Sequence, residues 1–185
     1  MTSTYPYRQR TIITEKSIAS MVRFLALELD AIYRSLCPHL IGVLTTSYIF
    51  LADLSRAMNI GHTVGFATVC SRKNQTHVWL HDPDPQERKR GLVLVDTIVE
   101  TGGTLQQLAR YVARCSPCSG ITCTVSLLAR DDPPKIVLPN HIHAHVLTDP
   151  APLVGYGLDN HGKNPVCRSL PSIVEAPQSE ICPKS

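Results

Sequence analysis

The chain has 185 residues, 43% of them hydrophobic, enough for one sizeable core and too few for two ordinary domains with a linker. Its net charge of +3, with both signs interspersed, is not the single-sign field that marks a nucleic-acid or membrane partner, and small anionic ligands stay open. No apolar run reaches the ~20 residues that span a bilayer, residues 2–10 lack the apolar stretch of a secretory signal, and the seven cysteines are an odd number. A cytoplasmic protein with reduced thiols is expected.

Ile18, Met21, Val22, Leu25, Leu29 and Ile32 recur at helical spacing behind Thr14, a suitable cap, and predict an amphipathic helix over residues 15–33. Residues 40–44 read as a strand, the Thr45-Thr46-Ser47 stretch as a loop and residues 48–58 as a second helix. Another strand follows at 64–69. Residues 71–90 are polar and hold two Asp-Pro pairs around a short strand at 78–80, the pattern of a mobile lid loop. Residues 92–95 are apolar on both faces, as a central parallel strand should be, 104–114 carry a helix, and 121–129 repeat the buried-strand pattern. This alternation predicts an α/β fold with a mainly parallel sheet flanked by helices, and ligands bound beyond the carboxyl ends of the strands. From about residue 138 the pattern breaks into short proline-punctuated segments, and 177–185 read as a flexible tail, which leaves a single domain over 1–176.

The chemistry concentrates where the strand at 92–95 meets Asp96. A short loop then supplies Glu100, Thr101, Gly102 and Gly103, and a helix begins at Thr104. Two glycines let the backbone approach a ligand closely. The helix N-terminus presents unpaired N–H groups and about half a positive charge, which suits a phosphate. Thr101 and Thr104 add hydroxyls. Two other features read as structural. Cys115 and Cys118 have no second pair at zinc-ligand spacing, and His141, His143 and His145 share one face of a half-exposed strand.

Residues 92–104 resemble the signature of type I phosphoribosyltransferases, in which a strand, two acids and a loop ending Asp-Thr-Gly-x-Thr bind phosphoribosyl pyrophosphate. Residues 41–54 resemble the pyrophosphate loop and following helix of the hypoxanthine-guanine branch, and 153–159 its base-binding hood. The resemblance, in order and at family spacing, covers roughly residues 11–176. It implies the type I phosphoribosyltransferase fold, with a small hood made by the N-terminal segment and about 138–176. It implies a transferase that joins a purine base to a phosphorylated sugar pyrophosphate with Mg²⁺, as a homodimer or homotetramer.

By the same resemblance Thr101, Gly102, Gly103 and Thr104 wrap the sugar 5-phosphate, Asp96 and Thr97 face the sugar hydroxyls, and Asp96 and Asp159 serve the metal. Glu100 stands where the family has an aspartate that takes a proton from the base. Thr45, Thr46, Ser47, Arg72 and Arg168 fall at pyrophosphate-binding positions. Arg130, Pro152, Leu153 and Asp159 fall around the base. Several departures accompany the match. Thr97 replaces a second acid, which weakens recruitment of a hard cation, Thr45 replaces a lysine, Arg130 replaces a lysine that donates to a 6-oxo group, and Pro152 replaces an aromatic that stacks on the base. These departures leave open a specialised transferase for another phosphorylated sugar, as in nucleoside natural-product formation, and a nucleotide-sensing regulator without turnover.

Overall fold

The computed structural model describes residues 10–34, 36–72, 75–81, 91–115, 121–130, 139–159, 167 and 170–177. In chain order its elements are β1 (Thr11–Ile13), α1 (Glu15–Tyr33), β2 (His39–Leu44), α2 (Tyr48–Ala57), β3 (Thr63–Arg72), β4 (Gln75–His81), β5 (Leu92–Val99), α3 (Gly103–Cys115), β6 (Ile121–Arg130), β7 (His141–Leu147), β8 (Leu153–Gly155), β9 (Leu158–Asp159) and β10 (Ile173–Glu175). Helix α1 begins where its sequence predicts, because the Thr14 hydroxyl accepts the Ser17 N–H at 3.2 Å.

Six strands form the main sheet in the order β4-β3-β2-β5-β6-β7, parallel except for the β3–β4 pair. Their alternation decides which helix each face meets. Leu40, Val93 and Val95 pack with Leu25 and Leu29 of α1 and Phe50 and Leu54 of α2, whereas Ile41, Leu92 and Leu94 pack with Leu105, Leu108 and Val112 of α3. Both faces are therefore covered, which is why β2 and β5 read as unbroken apolar runs. Leu25, Leu29, Phe50 and Leu54 are fully buried, each contributing about 1.5–3 kcal/mol of apolar transfer. A second, antiparallel sheet of order β1-β10-β8-β9 ties the chain's beginning to residues 153–175.

Two boundaries differ from expectation. The central strand does not end before Asp96 but continues to Val99, because β6 is long enough to pair with it at Ile98↔Leu128 and Val99↔Ala129. The stretch expected as a lid is partly a hairpin. Strand β3 runs to Arg72 and β4 occupies Gln75–His81, held by Val78 and Leu80 packing against the α3 side of the core. Residues 82–90, and the tail from 178 onward, lie outside the described residues. Ala176 is buried and donates its N–H to the Pro152 carbonyl at 2.8 Å, so the chain stays tied to the second sheet to that point. Cys37, Cys70, Cys115, Cys123 and Cys167 are free thiols. Cys118 lies outside the described residues. No helix among the described residues is long and apolar enough to cross a membrane.

Candidate active site

Strands β2, β5 and β6 are parallel, so the segments leaving their carboxyl ends meet at one edge of the sheet. The turn after β2 is held from within. Ser47 is fully buried, its hydroxyl donating to the Val43 carbonyl at 2.7 Å and its N–H to the same oxygen at 3.1 Å. Gly42 makes room for this turn, since a Cβ there would lie 2.6 Å from Leu51 Cδ2. The Leu44–Thr45 peptide is cis. Beyond it Thr46 reaches β5 twice: its hydroxyl donates to Asp96 Oδ1 at 3.1 Å, and its carbonyl accepts the Thr97 hydroxyl at 2.8 Å.

Asp96 is 7% exposed and also accepts the Thr97 N–H at 2.8 Å. Burial pushes its pKa up from 3.8 to about 7, against the opposing hydrogen bonds from Thr46 and Thr97. The loop after β5 has the opposite character. Gly102 takes φ 75°, which glycine adopts without steric cost, and its carbonyl accepts the Gln106 N–H of α3 at 2.9 Å. Thr101 Oγ1 lies 3.4 Å from the Gly103 N–H, and the start of α3 is left facing outward with its glycines and hydroxyls.

These segments and the second sheet enclose a cavity of about 450 Å³. Thr46, Asp96, Glu100, Thr101, Gly102, Gly103 and Thr104 line one side, and Pro152, Leu153, Leu158 and Asp159 the other. The arrangement offers helix N–H groups for an anion, two buried carboxylates in Asp96 and Asp159, and an apolar wall for a flat ring.

Residues 9–159 match the family described as the phosphoribosyl transferase domain. The chain belongs to this family. It is 30% identical over 171 residues to the hypoxanthine-guanine phosphoribosyltransferase of Crithidia fasciculata, covering 84% of this chain and 80% of that one. It is 29% identical over 125 residues to the hypoxanthine phosphoribosyltransferase of Escherichia coli K12, covering 65% and 68%. The solved structure of a hypoxanthine-guanine phosphoribosyltransferase from Bacillus anthracis superposes with a TM-score of 0.78 at 25% identity, covering 92% of this chain and 99% of that one. The chain is an enzyme of the type I phosphoribosyltransferase fold, in its hypoxanthine-guanine branch.

Within this phosphoribosyltransferase, the residues singled out in the sequence do not all reach the cavity. Thr45, Ser47, Thr97 and Arg130 are not among its lining residues. Ser47 and Thr97 are fully buried, with their hydroxyls donated to the Val43 and Thr46 carbonyls. Both hydroxyls therefore brace the loop that carries Thr46. The Arg130 guanidinium turns to the Asp149 and Ala151 carbonyls and to Glu100. The side chain of Arg72, and all of Arg168, lie outside the described residues. Of the three β7 histidines, His141 is part-buried and His143 and His145 are exposed. His141 bonds Thr124 at 2.9 Å and Ser126 at 3.2 Å and stacks on His143.

Sequence reasoning passed over the apolar wall residues Val69, Ile98 and Leu158, whose alternation marks them only as core. It also missed Gly157. At φ 93°, a Cβ there would lie 2.5 Å from the Thr46 carbonyl oxygen, so the turn between β8 and β9 sits directly on the loop after β2. Tyr156 secures the same turn by donating its hydroxyl to Asp53 of α2 at 2.6 Å. Two glycines flanking one tyrosine were the available signal.

Proposed function

We propose that this phosphoribosyltransferase joins a purine base to phosphoribosyl pyrophosphate or a related sugar pyrophosphate and releases pyrophosphate. The observation that carries this reading is the meeting, in one cavity, of the α3 N-terminus, the Asp96 carboxylate and the Pro152–Leu153 wall. Thr101, Gly102, Gly103 and Thr104 bind the 5-phosphate through backbone N–H groups and hydroxyls. Asp96 faces the sugar hydroxyls. Pro152 and Leu153 cover the base, and Glu100 accepts the proton that the base nitrogen gives up. That transfer accompanies formation of the bond from nitrogen to the anomeric carbon and breakage of the bond to pyrophosphate. Thr46 is the loop residue best placed for pyrophosphate, with Thr45, Arg72 and Arg168 as further contacts.

No three metal-ligating side chains cluster among the described residues, so these residues alone build no cage for an ion. Asp96 and Asp159, both on the cavity wall, nevertheless fit Mg²⁺, which binds through one or two carboxylates when water and substrate phosphates complete its shell. Bound there, Mg²⁺ would supply charge neutralisation for pyrophosphate, with Asp96 and Asp159 as the residues to hold it. The protein works in the cytoplasm as a homodimer or homotetramer.

A second reading has its own observation. Because Thr97 braces Thr46 and does not line the cavity, Asp96 is the lone carboxylate at the sugar-hydroxyl position, which favours a donor other than the ribosyl one. The deciding experiment is a panel of purines, hypoxanthine first, against ribosyl and alternative sugar pyrophosphates, followed by pyrophosphate release. Efficient turnover with the ribosyl donor supports the first reading, and turnover confined to another sugar supports the second. Nucleotide binding without turnover on any pair overturns both and leaves a sensor.

A further inference from the structure

Glu100 and Arg130 are neighbours by construction. Strands β5 and β6 pair in parallel up to Val99↔Ala129, so the next residue of each strand stands beside the other at the cavity edge. The Arg130 Nη2 donates to Glu100 Oε1 at 3.3 Å and to the Ala151 carbonyl at 3.0 Å, and Nη1 donates to the Asp149 carbonyl. The arginine side chain is 16% exposed, and that of Glu100 49%. The carbonyls are themselves fixed, because Asp149 Oδ1 accepts the Ala151 N–H at 2.9 Å and its carboxylate pairs with Arg10. A guanidinium is a planar fork whose N–H groups can hold several acceptors at once, which an ammonium on a flexible stem does not do in fixed geometry.

We propose that Arg130 is a positioning residue that acts through Glu100, and is not a direct reader of the base. One guanidinium pins the Glu100 carboxylate at the cavity wall and fastens it to the 149–151 turn, which leads directly into Pro152 and Leu153. The acid and the base-covering wall are thereby set at a fixed separation. This also accounts for two departures from the family together. Glutamate has one methylene more than the family's aspartate and so more freedom to swing, and arginine, longer and forked, removes that freedom. The inference rests on the transferase reading for its kinetic consequence, but the pairing has a consequence that needs no turnover.

Two measurements test it. In the first, surface carboxylates of the wild type, Arg130→Ala and Arg130→Lys are labelled with a carbodiimide and glycine ethyl ester and read by mass spectrometry, with Glu28 as an internal control. Release of Glu100 is expected to speed its labelling several-fold in Arg130→Ala, with Glu28 unchanged; an unchanged rate at Glu100 overturns the proposal even if the enzyme proves inactive. In the second, kinetics compare Arg130→Ala, Arg130→Lys, Glu100→Gln and the double variant Arg130→Ala/Glu100→Gln. Misplacing a catalytic group by about 1 Å commonly costs ~10²-fold, so kcat is expected to fall by that order in Arg130→Ala, with the KM for the base changing little. The double variant should be hardly slower than Glu100→Gln alone, since the arginine's effect passes through the acid. Added guanidinium should restore part of the rate to Arg130→Ala and none to Glu100→Gln. Multiplicative losses in the double variant, or a rise in base KM that differs between 6-oxo and 6-amino purines, would instead make Arg130 a base reader. Arg130→Lys keeps the charge and guards against misfolding of the alanine variant: it should show the intermediate labelling rate.

Discussion

The two loops that face the cavity across Asp96 are built on opposite principles. The loop after β5 spends little on itself: Thr101 and Gly102 make one contact each with the start of α3, and its glycines, hydroxyls and helix N–H groups are left to the cavity. The loop after β2 is hydrogen-bonded inward, with the Ser47 hydroxyl on Val43, the Thr46 hydroxyl on Asp96 and the Thr97 hydroxyl on the Thr46 carbonyl. A substitution in the first loop alters a group that lines the cavity. In the second it disturbs structure first and ligand afterwards. Within these two segments residues 101–104 keep the family's Thr-Gly-x-Thr run, whereas Thr97, one of the departures, is turned to bracing Thr46.

The largest expected effect is at Glu100, which belongs to the open side and whose half-exposed carboxylate meets Arg130 at 3.3 Å. Glu100→Gln keeps size and one hydrogen-bond acceptor but removes basicity, and loss of a positioned base commonly costs ~10²–10⁴ in rate. Stability should barely move. Full turnover by this variant, measured as pyrophosphate release, would show the carboxylate to be a loop acid and nothing more.

Asp96 comes next because it is the point where the braced loop meets the cavity. Burial raises its pKa from the ordinary 3.8 to about 7, so the folded protein favours the protonated acid. The associated stability is fully present below about pH 4 and is lost as pH rises through about 7. At about 1.4 kcal/mol per pH unit, the upper bound on that loss is about 4 kcal/mol. Asp96→Asn still accepts from Thr46 and Thr97 and escapes the penalty. Its stability relative to wild type should therefore grow between pH 4 and pH 7 and level off above, as read by urea unfolding at each pH. A difference that stays flat with pH would mean that solvent reaches the carboxylate freely.

Much of this was legible in the chain, for physical reasons that differ by residue. Thr14 and the 3.6-residue spacing of Ile18, Val22, Leu25 and Leu29 specify α1 locally, so its start needed no tertiary information. The Glu100–Thr104 stretch was legible as a loop facing the cavity because its glycines and hydroxyls fall at a strand-to-helix turn. The direction of the Thr97 hydroxyl was not, since a threonine in a strand gives no sign of whether it faces ligand or a carbonyl 51 positions away. Nor was the extent of β5, because only β6 supplies the partners that carry it past Asp96. The Arg130 contacts depend on the path of residues 149–151, which no local pattern encodes.

Thr97 tests the braced side more directly. Thr97→Val takes away the hydroxyl donor that serves the Thr46 carbonyl in a part-buried hydrogen bond, and leaving such a group unsatisfied costs at most about 1–3 kcal/mol. Thr97→Asp is expected to be worse, because its ionised carboxylate would sit against that same carbonyl oxygen with no proton to offer. Unfolding midpoints should fall in the order wild type, Thr97→Val, Thr97→Asp. If the aspartate variant keeps its midpoint and gains affinity for the ribosyl donor, position 97 faces the sugar, and the contrast between the loops fails.

The smallest effect is expected at Thr104, on the open side, and it sharpens the comparison by its selectivity. Thr104 is exposed at the first turn of α3 and lines the cavity beside Gly103. Thr104→Val has nearly the same shape and a similar helix propensity, so the fold should hold within about 0.5 kcal/mol. What it lacks is one hydroxyl donor to a charged phosphate, a bond of about 1.5 kcal/mol at the low end of its range, or roughly tenfold in affinity. The backbone N–H groups at the helix start supply the remaining attraction and are untouched by the substitution. Isothermal titration with a nucleoside 5-monophosphate should therefore show about tenfold weaker binding, while the unfolding midpoint stays at the wild-type value. The pairing of these two readouts is the discriminating feature, because Thr97→Val is expected to give the reverse: a lowered midpoint before any specific loss of phosphate affinity. Unchanged nucleotide affinity in Thr104→Val would place the phosphate away from this helix, and a lowered midpoint would show that this loop too is held together by its own side chains.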